Sequence, residues 1–150
     1  MSAPEGSTVT FRRIPANVRQ AAIASFARKL QAQVGKGRGF DCLITGDAEL
    51  QRLNREFRGK DYATDVLSFP RLARRPAPLG DIAISMTRAR AQAREFGHTT
   101  EQEIQILMLH GLLHLLGFDH ETDSGQMARA EKRWRARLGL PNGLIERVRP

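Results

Sequence analysis

A chain of 150 residues is long enough for one domain with a real hydrophobic core and short for two. Hydrophobic residues at 41% and charged residues at 27% are the proportions of an ordinary soluble globular protein, and the longest apolar stretch, Ile106 to Phe118, is too short to span a membrane and is broken by two histidines. The 24 Lys and Arg against 16 Asp and Glu leave a formal net charge of +8, a surplus that favours a polyanionic partner, because phosphate contacts release counterions and steer association over long range.

Residues 1–7 read as a flexible tail. They hold neither a basic start nor an apolar run, so secretion by a signal peptide is not expected. Cys42 is the single cysteine, which rules out an internal disulfide and suits a reducing, cytoplasmic location. Thr8 to Ile14 alternates and predicts a first strand, closed by Pro15. Val18, Ala22, Ile23, Phe26, Leu30 and Val34 form a helical stripe over residues 17–34, ended by the glycines at 35, 37 and 39. Phe40 to Thr45 predicts a second strand. Asp47 is the expected N-cap of a helix through Leu50, Leu53 and Phe57 that stops at Gly59.

Val66 to Pro70 is a short strand stopped by proline, and Arg71 to Leu79, with its prolines and arginines, predicts a mobile basic loop. Gly80 to Ser85 reads as a fourth strand and Met86 to Phe96 as a helix. Thr100-Glu-Gln-Glu103 is a capping-box pattern that opens the next helix. A last helix is expected over residues 124–138, with Met127, Ala130, Trp134 and Leu138 on its core side. His98, without a neighbour at ligand spacing, is expected to be solvated. Four strands and five helices without repeats or internal linkers predict one α+β domain over residues 1–150.

Three of the four histidines fall in His110-Gly-Leu-Leu-His114-Leu-Leu-Gly117-Phe-Asp-His120. A helix advances ~100° per residue, so His110 and His114 share one face. Gly117 ends the helix and lets the chain bring His120 in from the side. Three imidazoles on one point leave a fourth position open, the arrangement of a catalytic zinc site rather than a closed structural one. The spacing is that of the metzincin zinc proteases, so a metzincin-like zinc helix is expected. Those proteases carry their general-base Glu directly after the first His, where this chain has Gly111, which counts against peptide hydrolysis. Glycine inside a helix costs ~1 kcal/mol relative to alanine, so Gly111 needs a local reason: room for a bulky substrate, or close helix packing. Asp119 is read as stabilising the turn after the helix, and Met127 as core.

The second notable stretch runs from Leu53-Asn54 through Arg58-Gly-Lys-Asp61 to Thr64-Asp65-Val-Leu-Ser-Phe-Pro70. Arg58 near a helix end can bond the last carbonyls or act as a fork for phosphate. With Leu79-Gly-Asp-Ile82 and the histidine block, this stretch resembles the YbeY family of bacterial zinc-dependent endoribonucleases, the rRNA maturation factors. The resemblance spans roughly Asp41 to His120 and departs at Ala63, where the family usually has proline. It implies a mixed four-stranded sheet packed by helices, one Zn2+ per chain on His110, His114 and His120, and Arg58 facing the metal cleft as a residue needed for activity. It further implies single-stranded RNA as substrate, maturation of the 3′ end of 16S rRNA, ribosome assembly and quality control, and contacts with the small ribosomal subunit, its proteins and an Era-type GTPase.

Metal-assisted cleavage of RNA phosphodiesters is the leading expectation, with Arg58 on the phosphate and arginines such as Arg71, Arg74 and Arg75 along the strand's backbone. The rival is a zinc-stabilised RNA- or ribosome-binding assembly factor that catalyses nothing. Nickel or another divalent metal suits three imidazoles as well.

Overall fold

A computed structural model describes residues 6–15, 17–70, 78–141 and 145. In chain order the elements are β1 (Thr8–Phe11), α1 (Gln20–Gln33), β2 (Asp41–Thr45), α2 (Asp47–Arg58), β3 (Val66–Pro70), β4 (Gly80–Ser85), α3 (Met86–Phe96), α4 (Thr100–Leu115) and α5 (Gln126–Leu138). The strands form one sheet in the order β1-β2-β4-β3. β1, β2 and β4 run parallel, and β3 pairs antiparallel to β4 with Val66 opposite Ile84 and Pro70 opposite Gly80. This is the mixed α+β fold expected from the sequence.

Alternation along the strands sorts the helices onto two faces. Ser68 and Ile82 point toward α4, whereas Leu67 and Ala83 pack with Leu50 of α2 on the opposite face. The larger core lies on the α4 side, where Ile23, Leu30, Ile44, Ile82, Ile84, Leu107 and Leu109 are fully or almost fully buried. α4 is apolar nearly all round, as a central core helix is.

Several boundaries differ from the expectation, each for a local reason. Residues 1–5 lie outside the described residues, but Ser7 of the expected tail is anchored: its N–H and hydroxyl both donate to Gln31 Oε1, at 2.7 and 2.9 Å. β1 ends at Phe11, and Arg13 beyond it takes a positive φ of 55° that no strand can continue through. The N-cap of α2 is Gly46; the carboxylate of Asp47 instead accepts from the Ser85 hydroxyl at 2.6 Å and from Arg88 Nε at 3.2 Å. The capping box of α4 sits one residue earlier than expected. Thr99 Oγ1 accepts from the Gln102 N–H, and Gln102 Oε1 accepts from the Thr99 N–H.

That shift frees Glu103, which is fully buried and pairs with His98 Nε2 at 2.6 Å. His98 is therefore a packed, partnered residue rather than a solvated one, its side chain only 7% exposed. α5 starts at Gln126, preceded by Asp123, whose carboxylate accepts from the N–H groups of Gly125 and Met127. Those bonds hold the Asp123 carboxyl below its ordinary range. Of the expected basic loop, residues 71–77, with Arg71, Arg74 and Arg75, lie outside the described residues, while Leu79 is buried and donates its N–H to the Gly39 carbonyl. Cys42 is a buried free thiol whose pKa burial pushes far above the ordinary range, so it is chemically quiet.

At Gly111 α4 lies tight against the sheet. A Cβ there would stand 2.8 Å from Ile82 Cγ2 and 3.1 Å from Ser68 Oγ, while the Gly111 carbonyl accepts from that same Ser68 hydroxyl at 2.9 Å. Of the two reasons open for this glycine, close packing is the one the structure supplies. Ile82 is β-branched and 1% exposed, so it has little room to yield. Gly111→Ala therefore sets a helix-propensity gain of ~1 kcal/mol against an overpacking cost of ~1–3 kcal/mol. A net loss of stability on the order of 1 kcal/mol is expected in urea unfolding; a variant more stable than the parent would contradict this packing role.

Candidate metal centre

α4 delivers His110 and His114 one turn apart, and the chain then folds back sharply. The N–H of Gly117 bonds the His114 carbonyl and that of Phe118 bonds the Leu113 carbonyl, with Gly117 at a φ of 103° that only glycine adopts readily. Asp119 organises the turn that follows. Its carboxylate accepts from the Glu121 N–H at 3.1 Å and its carbonyl from the N–H groups of Thr122 and Asp123. The result is His120 beside the helix pair. The three rings form a compact triangle, with centroids 4.9 Å apart for His110 and His114, 5.4 Å for His110 and His120, and 5.5 Å for His114 and His120. One ring nitrogen from each lies within 4.8 Å of the others, so the cluster could hold a metal ion.

The protonation chemistry suits a ligand set. His110 is 5% exposed and donates its Nδ1–H to Glu131 Oε2 at 2.8 Å, which fixes its tautomer and leaves Nε2 bare. Burial, with His110 and His120 close by, holds His114 below the ordinary imidazole range, against a smaller opposing pull from Asp119 and a hydrogen bond to the Phe118 backbone. A neutral ring is the form that ligates. His120 has a buried Nδ1 with no hydrogen-bond partner among the described residues, a polar atom left for a non-protein group to answer. Three imidazoles, one orphan nitrogen and a carboxylate behind the most buried ring make a donor set that fits zinc.

Glu131, which sequence reasoning missed, is the residue behind His110 at this site. It is fully buried on α5, and its second oxygen accepts from the Ile145 N–H at 2.7 Å. The available signal was a carboxylate on the stripe defined by Met127, Ala130 and Trp134, where an apolar residue belongs. Met127 itself is core, fully buried.

The triangle opens on a cleft of about 850 Å³ whose far wall is Arg58, Thr64, Asp65 and the outer edge of β3. Arg58, the last residue of α2, is exposed and makes one long contact, Nη1 to Asn54 Oδ1 at 3.5 Å. Asn54 is buried and donates to the Tyr62 carbonyl, so it ties the end of α2 to the turn before β3. Asp61 takes bonds from Gln51 and Arg55 and so ties that turn back to α2. The structure thus places the three histidines together and sets Arg58 on the same cleft.

The family model described as Endoribonuclease YbeY matches residues 8–139. The chain is 72% identical over 148 residues to the "Endoribonuclease YbeY" of Solibacter usitatus, covering 99% of each protein. It is 46% identical over 133 residues to that of Koribacter versatilis, covering 89% of this chain and 86% of the relative. The solution structure of TM1509 from Thermotoga maritima superposes with a TM-score of 0.56 at 28% identity, over 86% of this chain and 93% of that one.

Glu131 gives this centre its test. Glu131→Gln keeps the volume and removes the charge behind His110, and a ~10–100-fold loss of zinc affinity is expected in a chelator-competition titration of the folded variant. An affinity equal to the parent's would contradict the orienting role.

Proposed function

The chain belongs to the YbeY family of endoribonucleases, and from that membership we propose that it cuts single-stranded RNA at a metal ion held by His110, His114 and His120. The observation that supports this most is the convergence of three imidazoles on an open cleft that Arg58 also lines. When bound, a zinc ion would supply Lewis acidity, drawing charge from a phosphoryl oxygen or acidifying a water.

The protein's own groups do the rest. Arg58 offers a planar fork of N–H donors to the scissile phosphate and offsets the negative charge that develops there. Among the described lining residues it is the one Arg or Lys, beside the carboxylates of Asp65, Asp119 and Glu121. Its place therefore decides where a phosphate can settle. Gly111 leaves no carboxylate after His110 to act as a peptidase base. The finer role, maturation of the 3′ end of 16S rRNA during small-subunit assembly in the cytoplasm, with ribosomal proteins and an Era-type GTPase as partners, rests on family kinship. The basic balance of the chain and its buried free thiol accord with it. Among the described residues no helix is long and apolar enough to cross a membrane.

Two variants test the catalytic reading against that of a non-catalytic binder. Arg58→Ala should lower cleavage of single-stranded RNA by ~10²–10³-fold with metal content intact. His114→Ala, if folded, should lose both metal and cleavage. Parent protein that binds RNA but leaves it uncut, with assembly function surviving in His114→Ala, would make the protein a binding module instead.

A further inference from the structure

A basic cavity separate from the metal cleft lies at the carboxyl ends of the parallel strands. It measures about 310 Å³ and is lined by Arg13, Arg90 and Arg94 together with Gly46, Met86 and Thr87. The topology explains the convergence. β1, β2 and β4 are parallel, so the segments that leave their carboxyl ends meet at one rim. Arg13 follows β1, Gly46 follows β2, and Met86 and Thr87 follow β4. Arg90 and Arg94 are one turn apart on α3 and share a face with Met86.

The three arginines have no carboxylate partner among the described residues, although acidic groups stand nearby. Glu49 is bound by Arg12, Arg52 and Thr45, and Asp47 by Ser85 and Arg88. Local acids are thus already committed to other donors, and the cationic charge of the cavity is left uncompensated. The first turn of α3 contains no acidic residue, and its N-cap Ser85 answers only the Arg88 N–H. The unanswered N–H groups of that turn add to the positive potential, though the guanidinium groups alone define the site.

We propose that this cavity is a second anchor for RNA, which holds a backbone phosphate of the strand whose scissile bond lies in the metal cleft. The inference rests on the RNA reading above and extends it. Guanidinium forks match phosphate oxygens in geometry and charge, and such contacts position a strand without reading its sequence. One sheet carries both sites, the metal cleft along β3 and the cavity at the carboxyl ends of β1, β2 and β4. β3, whose outer edge walls the metal cleft, is the neighbour of β4, from which α3 starts. A strand long enough to pass from one to the other would be held at two points, whereas a short fragment would meet the metal cleft alone.

The test uses the zinc-loaded protein, the variant R13Q/R90Q/R94Q, and a control with equal charge removed from the surface of α1 and the turn after it, R28Q/K29Q/K36Q. Fluorescence anisotropy with single-stranded RNA of about 16 nucleotides, and with a fragment of about 4, is measured across a salt series, together with cleavage of both. For the long RNA, the slope of log affinity against log salt should shrink by ~0.7 for each phosphate that the cavity variant no longer holds and stay at the parent's value in the control. Binding and cleavage of the short fragment should match the parent in both. Inorganic phosphate at millimolar level should weaken long-RNA binding by the parent more than by the cavity variant. Equal weakening by the two charge-removal variants would reduce the effect to net charge and overturn the anchor. A parent protein that neither binds nor cuts RNA would overturn the functional reading itself, whereas a parent that cuts RNA while the cavity variant behaves as the control would overturn the anchor alone.

Discussion

Helix α4 can lie as close to the sheet as it does because position 111 has no side chain, and the placement of both its histidines follows from that seat. The Gly111 carbonyl takes the Ser68 hydroxyl, and Ile82 occupies the space a Cβ would need. Around this contact Ile104, Ile106, Leu107, Leu109, Leu112 and Leu113 are buried. Each such side chain contributes ~1.5–3 kcal/mol of transfer free energy against the entropy of ordering it. A helix held on so many sides has one azimuth and one register. His110 and His114 are thereby fixed in direction before any ligand arrives, which is what preorganisation of a metal site requires.

A core helix cannot tolerate unanswered charge, and α4 solves that at both ends with the same pairing. At its start the buried Glu103 meets His98; near its end the buried His110 meets Glu131. The first pair locks the entry of the helix. The second reaches across to α5 and, through the other oxygen of Glu131, to the N–H of Ile145. The tautomer of one imidazole is therefore set by a contact 21 residues away in the chain, and the far end of the fold takes part in the chemistry of the cleft.

What could be read from the sequence depended on how local the cause was. The strands at 66–70 and 80–85 and the helix at 86–96 match residue for residue, because proline, glycine and alternating side chains act within a few positions. Spacing alone put His110, His114 and His120 on one candidate centre, since a helix turn and a glycine stop are local geometry. Caps slipped by one residue where two similar side chains competed: Thr99 won over Thr100, and that choice decided the fate of Glu103 and His98. Asp47 looked like a cap and became a partner of β4 and α3 instead. Gly111 and Glu131 were legible only as anomalies, a glycine inside a helix and a carboxylate on an apolar stripe. The role of each is set by an atom on another element, Ile82 for the one and His110 for the other, and no spacing rule encodes a contact made by tertiary packing.

The cleft that results combines three converging imidazoles with one arginine among its described lining residues, beside several carboxylates, so cation placement rather than overall charge defines where a phosphate sits. The central claim is that one divalent ion occupies the three imidazoles with a coordination position left facing that cleft. Anomalous diffraction at the zinc edge from crystals of the zinc-loaded protein tests it most directly. One peak within ~2.1 Å of a ring nitrogen from each of His110, His114 and His120, with its open side toward Arg58, is the expected result. A folded protein whose three rings hold no ion, or whose ion is closed off by a fourth protein ligand, would contradict it.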